Sequence, residues 1–130
     1  MKGKVLLVDD TDFYLKLYKT KLLTEGYVVT TANNGLEAIK AVTAEKPDII
    51  LLDLVMPVMD GFKFLLTLKA DNGLKDIPVV VFSSKGNSDE IGHAITAGAA
   101  DFLVKATTTP NKVVEKIQKV MAKSQGPAAG

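Results

Sequence analysis

In the middle of the chain stands Ile49-Ile50-Leu51-Leu52-Asp53, an unbroken apolar run closed by a carboxylate. A run of this length without alternation predicts a strand that is buried on both faces. Two similar runs, Val5–Val8 and Val79–Phe82, also end at polar residues. Strands covered on both faces are typical of a parallel sheet flanked by helices. The sequence therefore predicts an α/β fold.

Helical patterns alternate with further strands along the chain. A helix is predicted over residues 12–25, where Phe13, Leu17, Tyr18 and Leu22 recur at helical spacing and form an expected inward stripe. Strands are also predicted at Tyr27–Thr31 and Phe102–Val104, and helices after the Asn33-Asn34-Gly35 turn, over Gly61–Ala70, over Ser88–Ala97 and from Pro110 onward. Parallel strands joined by such crossover helices form an open sheet with helices on both faces, so we expect five strands and five helices.

Composition limits the functions that are open to the chain. Its 130 residues suit one domain, and a net charge of +1 gives no reason to expect nucleic acid. The sequence lacks cysteine and has His93 as its single histidine, which excludes disulfide scaffolds, thiol catalysis, iron–sulfur clusters and multi-histidine metal sites. All 16 basic residues are lysine, which lowers the expectation of sequence-specific DNA binding because arginine is the usual reader of guanine. No apolar run approaches the roughly 20 residues of a membrane helix and no secretory signal is evident, so we expect a cytoplasmic protein without membrane insertion.

Polar side chains stand directly after the predicted strands: Asp9, Asp10, Asp53, Ser83 and Lys105. In open parallel sheets ligands bind beyond the carboxyl ends of the strands, so these groups are expected to meet in one pocket. Close carboxylates repel one another unless a proton or a cation intervenes, and Mg²⁺ prefers such oxygen ligands. Aspartate also serves as a nucleophile toward phosphorus, and lysine and serine suit phosphoryl oxygens. Taken singly, each residue has an ordinary alternative role as a helix cap, a turn residue or a solvated side chain.

Four segments together resemble the receiver domain of two-component response regulators. They are KVLLVDD with Asp9 and Asp10, PDIILLDLVMPVMDG with Asp53, VVVFSS with Ser83, and GAADFLVKA with Lys105. The resemblance covers about Lys4 to Met121 and implies a flavodoxin-like, five-stranded parallel sheet with strand order 2-1-3-4-5. We therefore expect one receiver domain over residues 1–124, followed by a tail at 125–130 that has no periodicity and is expected to be frayed.

The resemblance implies a chemical role for each acid and for the lysine. Asp53 resembles the phosphoacceptor. Asp9 and Asp10 resemble the acids of a Mg²⁺ site that Asp53 and the backbone carbonyl of Val55 complete. Lys105 resembles the lysine that pairs with the phosphoryl group.

Two further residues resemble the switch of this family. Ser83 resembles the hydroxyl that moves toward the phosphoryl group, and Phe102 resembles the aromatic side chain that moves with it. The implied function is a phosphorylation-dependent signalling switch that is not an enzyme in the usual sense, because it catalyses only its own phosphoryl transfer and dephosphorylation. The phosphoryl group would come from a histidine kinase phosphohistidine, from a phosphotransfer protein or from a small acyl phosphate.

The family commonly signals through its fourth helix, fifth strand and fifth helix. In the fifth predicted helix one face carries lysines and the opposite face an apolar stripe: Lys112, Lys116, Lys119 and Lys123 against Val113, Ile117 and Val120. We expect an acidic protein partner to dock beside Phe102 and these lysines, and a solvated helix face is the alternative. The 25 residues after Lys105 leave no room for a helix-turn-helix domain, so no DNA partner is expected unless the chain is an excerpt of a longer protein.

The sequence departs from the family pattern near the predicted lysine. Ala106 stands where the family usually has proline in a cis peptide. A cis bond before a residue other than proline costs about 2.5–4 kcal/mol, so we predict a trans bond and a rearranged Thr107–Thr109 loop that keeps Lys105 pointing at Asp53. Phe102 replaces a frequent tyrosine, and Ser84 replaces a frequent alanine.

Two other functions compete with the signalling switch. A phosphohydrolase of the haloacid-dehalogenase type places a second aspartate two residues after its nucleophile, but Val55 at that position carries no proton for acid–base catalysis. An interaction module that has lost phosphorylation is the other alternative, and the intact set of acids argues against it. In the receiver family Val55 and Lys85 occupy positions that tune hydrolysis of the phosphoryl group.

Overall fold

The computed structural model describes residues 2–56, 58–84 and 86–125, and within them it places five strands in one sheet. The strands are β1 (Lys4–Val8), β2 (Val28–Ala32), β3 (Ile49–Leu52), β4 (Val79–Ser83) and β5 (Asp101–Val104). Every neighbouring pair is parallel, and the order is β2-β1-β3-β4-β5. The predicted flavodoxin-like fold and its strand order are confirmed.

Helices connect the strands and cover the sheet. They are α1 (Asp12–Thr24), α2 (Gly35–Ala44), α3 (Gly61–Ala70), α4 (Ser88–Thr96) and α5 (Pro110–Gln125), with a short 3₁₀ turn at Lys105–Thr107. Four of them are preceded by a residue whose side chain accepts a hydrogen bond from the first turn: Asn34, Asp60, Asn87 and Thr109. Such caps satisfy backbone N–H groups that have no partner within the helix, which fixes where each helix starts.

The apolar strands divide their side chains between two buried clusters. Leu6, Val8 and Leu52 point to the cluster that α2, α3 and α4 cover. Val5, Leu7 and their neighbours on β3 and β4 point to the cluster that α1 and α5 cover. Because successive side chains of a strand face opposite sides, this double burial explains the unbroken apolar runs.

Helix α1 is rotated relative to the predicted stripe. Tyr18 and Leu22 are buried as expected, but Phe13 is 66% exposed and Leu17 is 38% exposed. The prediction that these two residues face inward is wrong, because Tyr14 and Leu15 pack against the sheet cluster in their place. Successive side chains of a helix differ in direction by about 100°, so the buried face includes Tyr14 and Leu15 and shares Tyr18 and Leu22 with the predicted stripe.

Boundary residues agree with the sequence to within a residue or two. β2 begins at Val28 rather than at Tyr27, and α5 extends to Gln125. The remainder of the predicted tail, 126–130, lies outside the described residues, as does Lys85. Among the helices of the described residues, none combines the length and the apolar character that crossing a bilayer requires.

Candidate functional site

The polar residues that follow the strands meet at the carboxyl edge of the sheet. Val8 pairs with Leu52 in adjacent strands, so Asp9 and Asp53 leave the sheet side by side. Ser83 pairs with Val104 at the ends of β4 and β5, so Lys105 follows immediately beyond. The register of the strands thus brings together groups that are far apart in sequence, as predicted.

Three carboxylates form the acidic part of the site. Asp9, Asp10 and Asp53 each offer one oxygen, and these oxygens lie within 4.8 Å of one another. Asp9 and Asp53 are buried, whereas Asp10 is exposed. The backbone N–H of Thr11 donates a hydrogen bond of 2.9 Å to Asp9 Oδ1, which holds this carboxylate at the start of α1. The acids therefore form a cluster that is open to solvent on the Asp10 side.

Lys105 enters this cluster between two of the carboxylates. Its Nζ atom donates a hydrogen bond of 2.7 Å to Asp9 Oδ2 and lies 3.6 Å from Asp53 Oδ2. The lysine thus approaches Asp53 as predicted, but its shorter contact is with Asp9. With its side chain 6% exposed, Lys105 makes ion pairs that are largely shielded from water.

The backbone after Lys105 forms a 3₁₀ turn. The Lys105–Ala106 bond is trans, as predicted, and none of the peptide bonds of the described residues is cis. The hydroxyl of Thr108 donates a hydrogen bond of 2.7 Å to the carbonyl of Val104, which ties the loop back to the end of β5. This loop holds Lys105 in the site without a proline.

Burial governs the electrostatics of Asp53. Desolvation raises the pKa of this carboxyl from 3.8 to about 6, and the charges of Asp9 and Asp10 act in the same direction. The ammonium of Lys105 and the backbone N–H of Val55, which donates to Asp53 Oδ1 at 3.3 Å, both lower the pKa of Asp53. One ammonium among three carboxylates leaves net negative charge, so the site favours a further cation.

The chain folds tightly behind Asp53. A Cβ atom on Gly61 would overlap the carbonyl oxygen of Asp53 and lie 2.7 Å from Cα of Leu54. Val58 has φ 68°, in the left-handed region that β-branched residues rarely adopt, and its side chain is 78% exposed. The loop between β3 and α3 is therefore strained at Val58 and closely packed at Gly61.

The two predicted switch residues lie on β4 and β5. Ser83 is fully buried at the end of β4. Phe102 is half-buried, sits opposite Val81 in the ladder and packs against the cluster under α2, α3 and α4. They are thus on adjacent strands, and Phe102 lies two positions before Val104, the residue that pairs with Ser83.

The lysine face of α5 is present. Lys112, Lys119 and Lys123 are exposed, and the predicted apolar stripe opposite them is buried. Lys116 is half-buried and makes an ion pair of 2.7 Å with Asp101 of β5. One of the four lysines is therefore engaged within the molecule.

Two aromatic side chains that were not predicted to belong to the site lie close to Lys105. Nζ of Lys105 lies 4.1 Å from the ring centroid of Tyr14 and 5.7 Å from that of Phe82. The sequence contains a signal for both residues, because Phe82 directly precedes Ser83 and Tyr14 lies in the first turn of α1. Tyr14 was not predicted to face the site, because Phe13 and Leu17 were expected on the inward face of α1 instead.

Comparisons with known proteins find a family model, relatives and solved structures that are similar to this chain. The family model described as "Response regulator receiver domain" matches residues 5–118. The chain is 42% identical over 106 residues to the response regulator PleD of Caulobacter vibrioides and 38% identical over 122 residues to the chemotaxis protein CheY of Thermotoga maritima. The crystal structure of CheY4 of Vibrio cholerae superposes with a TM-score of 0.85 at 30% identity, over 91% of this chain and 98% of that one.

The relatives differ in length. The matched part covers 81% of this chain but 23% of PleD, and several other curated relatives are matched over about half of their length. For the Thermotoga CheY protein the shares are 92% of this chain and 98% of that protein.

Proposed function

The chain belongs to the response regulator receiver domain family, and on that premise we propose that it is a phosphorylation-dependent signalling switch with Asp53 as its phosphoacceptor. Receiver domains are signalling modules of two-component systems rather than enzymes in the usual sense. The observation that carries the assignment to Asp53 is its position: a buried carboxylate at the end of the central strand β3, with Lys105 and a second buried carboxylate beside it.

The proposed reaction transfers a phosphoryl group to the carboxylate. A carboxylate oxygen of Asp53 forms a bond to phosphorus as the bond from phosphorus to the donor breaks, and the donor keeps that electron pair. The donor is the phosphohistidine of a histidine kinase or phosphotransfer protein, or a small acyl phosphate. Because the raised pKa of Asp53, about 6, still lies below neutral pH, most of the carboxyl is ionised and able to attack.

Positive charge beside the carboxylate supports this step. The ammonium of Lys105 already faces Asp53, and the hydroxyl of Ser83 lies at the adjacent strand end. Both groups would receive oxygens of the transferred phosphoryl group, whose charge they are suited to stabilise. Val55, 48% exposed beside Asp53, carries no group able to activate an ester for hydrolysis, which disfavours the phosphohydrolase.

The acid cluster fits a magnesium ion. Carboxylate oxygens from Asp9, Asp10 and Asp53 lie within 4.8 Å of one another, and such hard oxygen donors are what Mg²⁺ prefers. We propose that these acids and the backbone carbonyl of Val55 hold the ion. When bound, it would neutralise the repulsion among the acids and the charge of the incoming phosphoryl group.

The output is proposed to run through β5 and α5. Movement of Ser83 toward the phosphoryl group would make room for Phe102 to move inward, which would alter the surface beside it. Lys112, Lys119 and Lys123 are exposed on α5, the helix that follows β5, and would favour an acidic partner protein. The partner must bind the two states with different affinity, since a ligand shifts such an equilibrium only by that difference.

The proposal also covers the partners and the compartment. A histidine kinase or phosphotransfer protein supplies the phosphoryl group, an acidic protein receives the signal, and neither DNA nor a membrane is part of the proposed interaction. The proposed compartment is the cytoplasm, which fractionation of cells that produce the protein would test.

Acetyl phosphate with Mg²⁺ provides the test of the phosphoacceptor. We expect the intact mass to show one added phosphoryl group in the wild type, none in Asp53→Asn and none in excess chelator. Asp60→Asn is the matched control, because Asp60 lies in the same loop and asparagine also caps helices. Phosphorylation of Asp53→Asn, or of the wild type in chelator, would contradict the proposed site or its metal dependence.

A further inference from the structure

The ammonium of Lys105 has an aromatic ring on the side away from the acids. Nζ lies 4.1 Å from the centroid of the Tyr14 ring, well within the distance of about 6 Å at which a cation is attracted to a ring face. Phe82 contributes a second ring at 5.7 Å. Lys105 is therefore held between carboxylates and π-systems.

Neighbouring rings fix the orientation of Tyr14. Phe82 meets the Tyr14 ring edge-to-face, with centroids 6.0 Å apart and an interplanar angle of 88°. Tyr18 stacks on it at 6.4 Å, and Phe13 contacts it edge-to-face at 5.2 Å. Such aromatic pairs stabilise a defined geometry, so the ring is a fixed surface for the lysine.

An ammonium group has three N–H donors, and three groups of the site lie close to that of Lys105. Asp9 accepts one hydrogen bond at 2.7 Å, and Asp53 attracts the charge from 3.6 Å. With the side chain 6% exposed, water has little access, so the ring face of Tyr14 takes the place that water would occupy in an open site.

We propose that Tyr14 is a positioning residue that holds the Lys105 ammonium within reach of Asp53 through its ring face. The inference rests on the proposed role of Asp53 and adds to it the group that places the lysine. Lysine is a flexible side chain, and Ala106 imposes no fixed φ on the turn that follows. Without the ring, the ammonium is free to settle on Asp9 alone or to turn toward water, away from the incoming phosphoryl oxygens.

Because the ring face rather than the hydroxyl makes the contact, two substitutions at position 14 separate its roles. We expect Tyr14→Phe to keep the wild-type rate of phosphorylation by acetyl phosphate within about twofold. We expect Tyr14→Leu, which keeps an apolar side chain without a π-system, to lower that rate about 3- to 30-fold. A loss in Tyr14→Phe equal to that in Tyr14→Leu would assign the effect to the hydroxyl and overturn the proposal.

A series of fluorinated phenylalanines at position 14 distinguishes attraction to the ring face from packing. Each added fluorine weakens the negative ring face with little change in shape, so the phosphorylation rate should fall stepwise along the series. The same series at Phe64, which is buried in the cluster on the other face of the sheet, is the matched control and should leave the rate unchanged. Equal rates across the position-14 series, or an equal decline at both positions, would reject the proposal.

A spectroscopic measurement tests the contact without any phosphorylation. Protons of the Lys105 side chain next to Nζ should show an upfield ring-current shift in the wild type and in Tyr14→Phe, and this shift should disappear in Tyr14→Leu. If the shift is present but the wild type takes no phosphoryl group, the proposed function fails while the contact stands. If the wild type is phosphorylated on Asp53 but no shift is seen, the positioning role of Tyr14 fails alone.

Discussion

Substitution of Gly61 by alanine is expected to destabilise the protein, although the same change usually stabilises a helix. In a helix, alanine is favoured over glycine by about 1 kcal/mol. At this position the new Cβ would overlap the carbonyl oxygen of Asp53 and lie 2.7 Å from Leu54 Cα. These are backbone atoms that no side-chain rotation moves away, and overpacking of this kind costs about 1–3 kcal/mol. The Gly61 N–H also donates to the Leu54 carbonyl at 3.0 Å, and a shift of the loop weakens that bond.

The net effect expected for Gly61→Ala is a loss of up to about 2 kcal/mol in the free energy of unfolding, measured by urea denaturation in the presence of chelator. The displaced atoms belong to Asp53, so the rate of phosphorylation by acetyl phosphate should fall as well.

Gly92→Ala is the matched control within the same chain. Gly92 lies inside α4, and nothing lies within 4 Å of the position where its Cβ would be. Alanine should therefore raise the free energy of unfolding by about 0.4–1 kcal/mol and leave phosphorylation unchanged. If both substitutions shift stability in the same direction, the close approach at Gly61 does not govern that loop, and the reasoning is refuted.

Three further predictions concern the charge of Asp53, the access of water beside it and an ion pair between β5 and α5. In chelator, the stability that protonated Asp53 provides is fully present below its unfolded pKa of 3.8 and is lost as the pH rises through its folded pKa of about 6, because burial raises that pKa. Between about pH 4 and about pH 7, the free energy of unfolding of the wild type should therefore fall by about 3 kcal/mol relative to that of Asp53→Asn. Parallel curves of unfolding free energy against pH would contradict the raised pKa. Val55→Asn should speed loss of the phosphoryl group, because the exposed apolar side chain of Val55 beside Asp53 orients no water. The loss is measured as the change in intact mass after removal of the donor. A slower loss would show that Val55 does not protect the phosphoryl group in this way. Lys116→Gln should lower the free energy of unfolding more than Lys119→Gln does, but by less than about 1 kcal/mol, because the ion pair of Lys116 with Asp101 is partly exposed. A larger difference in urea midpoints would show a stronger pair.

Much of the site follows from the strand ends in the sequence. Runs such as Ile49–Leu52 are apolar on both faces, and a helix-covered parallel sheet is the structure that buries both. Once the strands are parallel, every residue that closes a run reaches the same edge, so Asp9, Asp53, Ser83 and Lys105 had to converge. This part of the site depends on local patterns and on one rule of sheet geometry.

The rest depends on packing that periodicity does not resolve. The stripe of α1 has the correct spacing, but a rotation by one residue decides whether Phe13 or Tyr14 meets Phe82. Both choices place an aromatic ring inside, so composition offers no discrimination between them. The contact of Lys105 with Asp9 at 2.7 Å is about an ångström shorter than its contact with Asp53 at 3.6 Å, and no pattern in the sequence resolves a difference of that size.

The ion pair between Lys105 and Asp9 links residues 96 positions apart in the chain. During synthesis the acids of β1 leave the ribosome long before the lysine, at roughly 5–20 residues per second, and contacts of such long range form late in folding. A nascent or truncated chain that ends before β5 carries the acids without their ammonium. The proposed acceptance of a phosphoryl group would therefore require completion of the whole sheet.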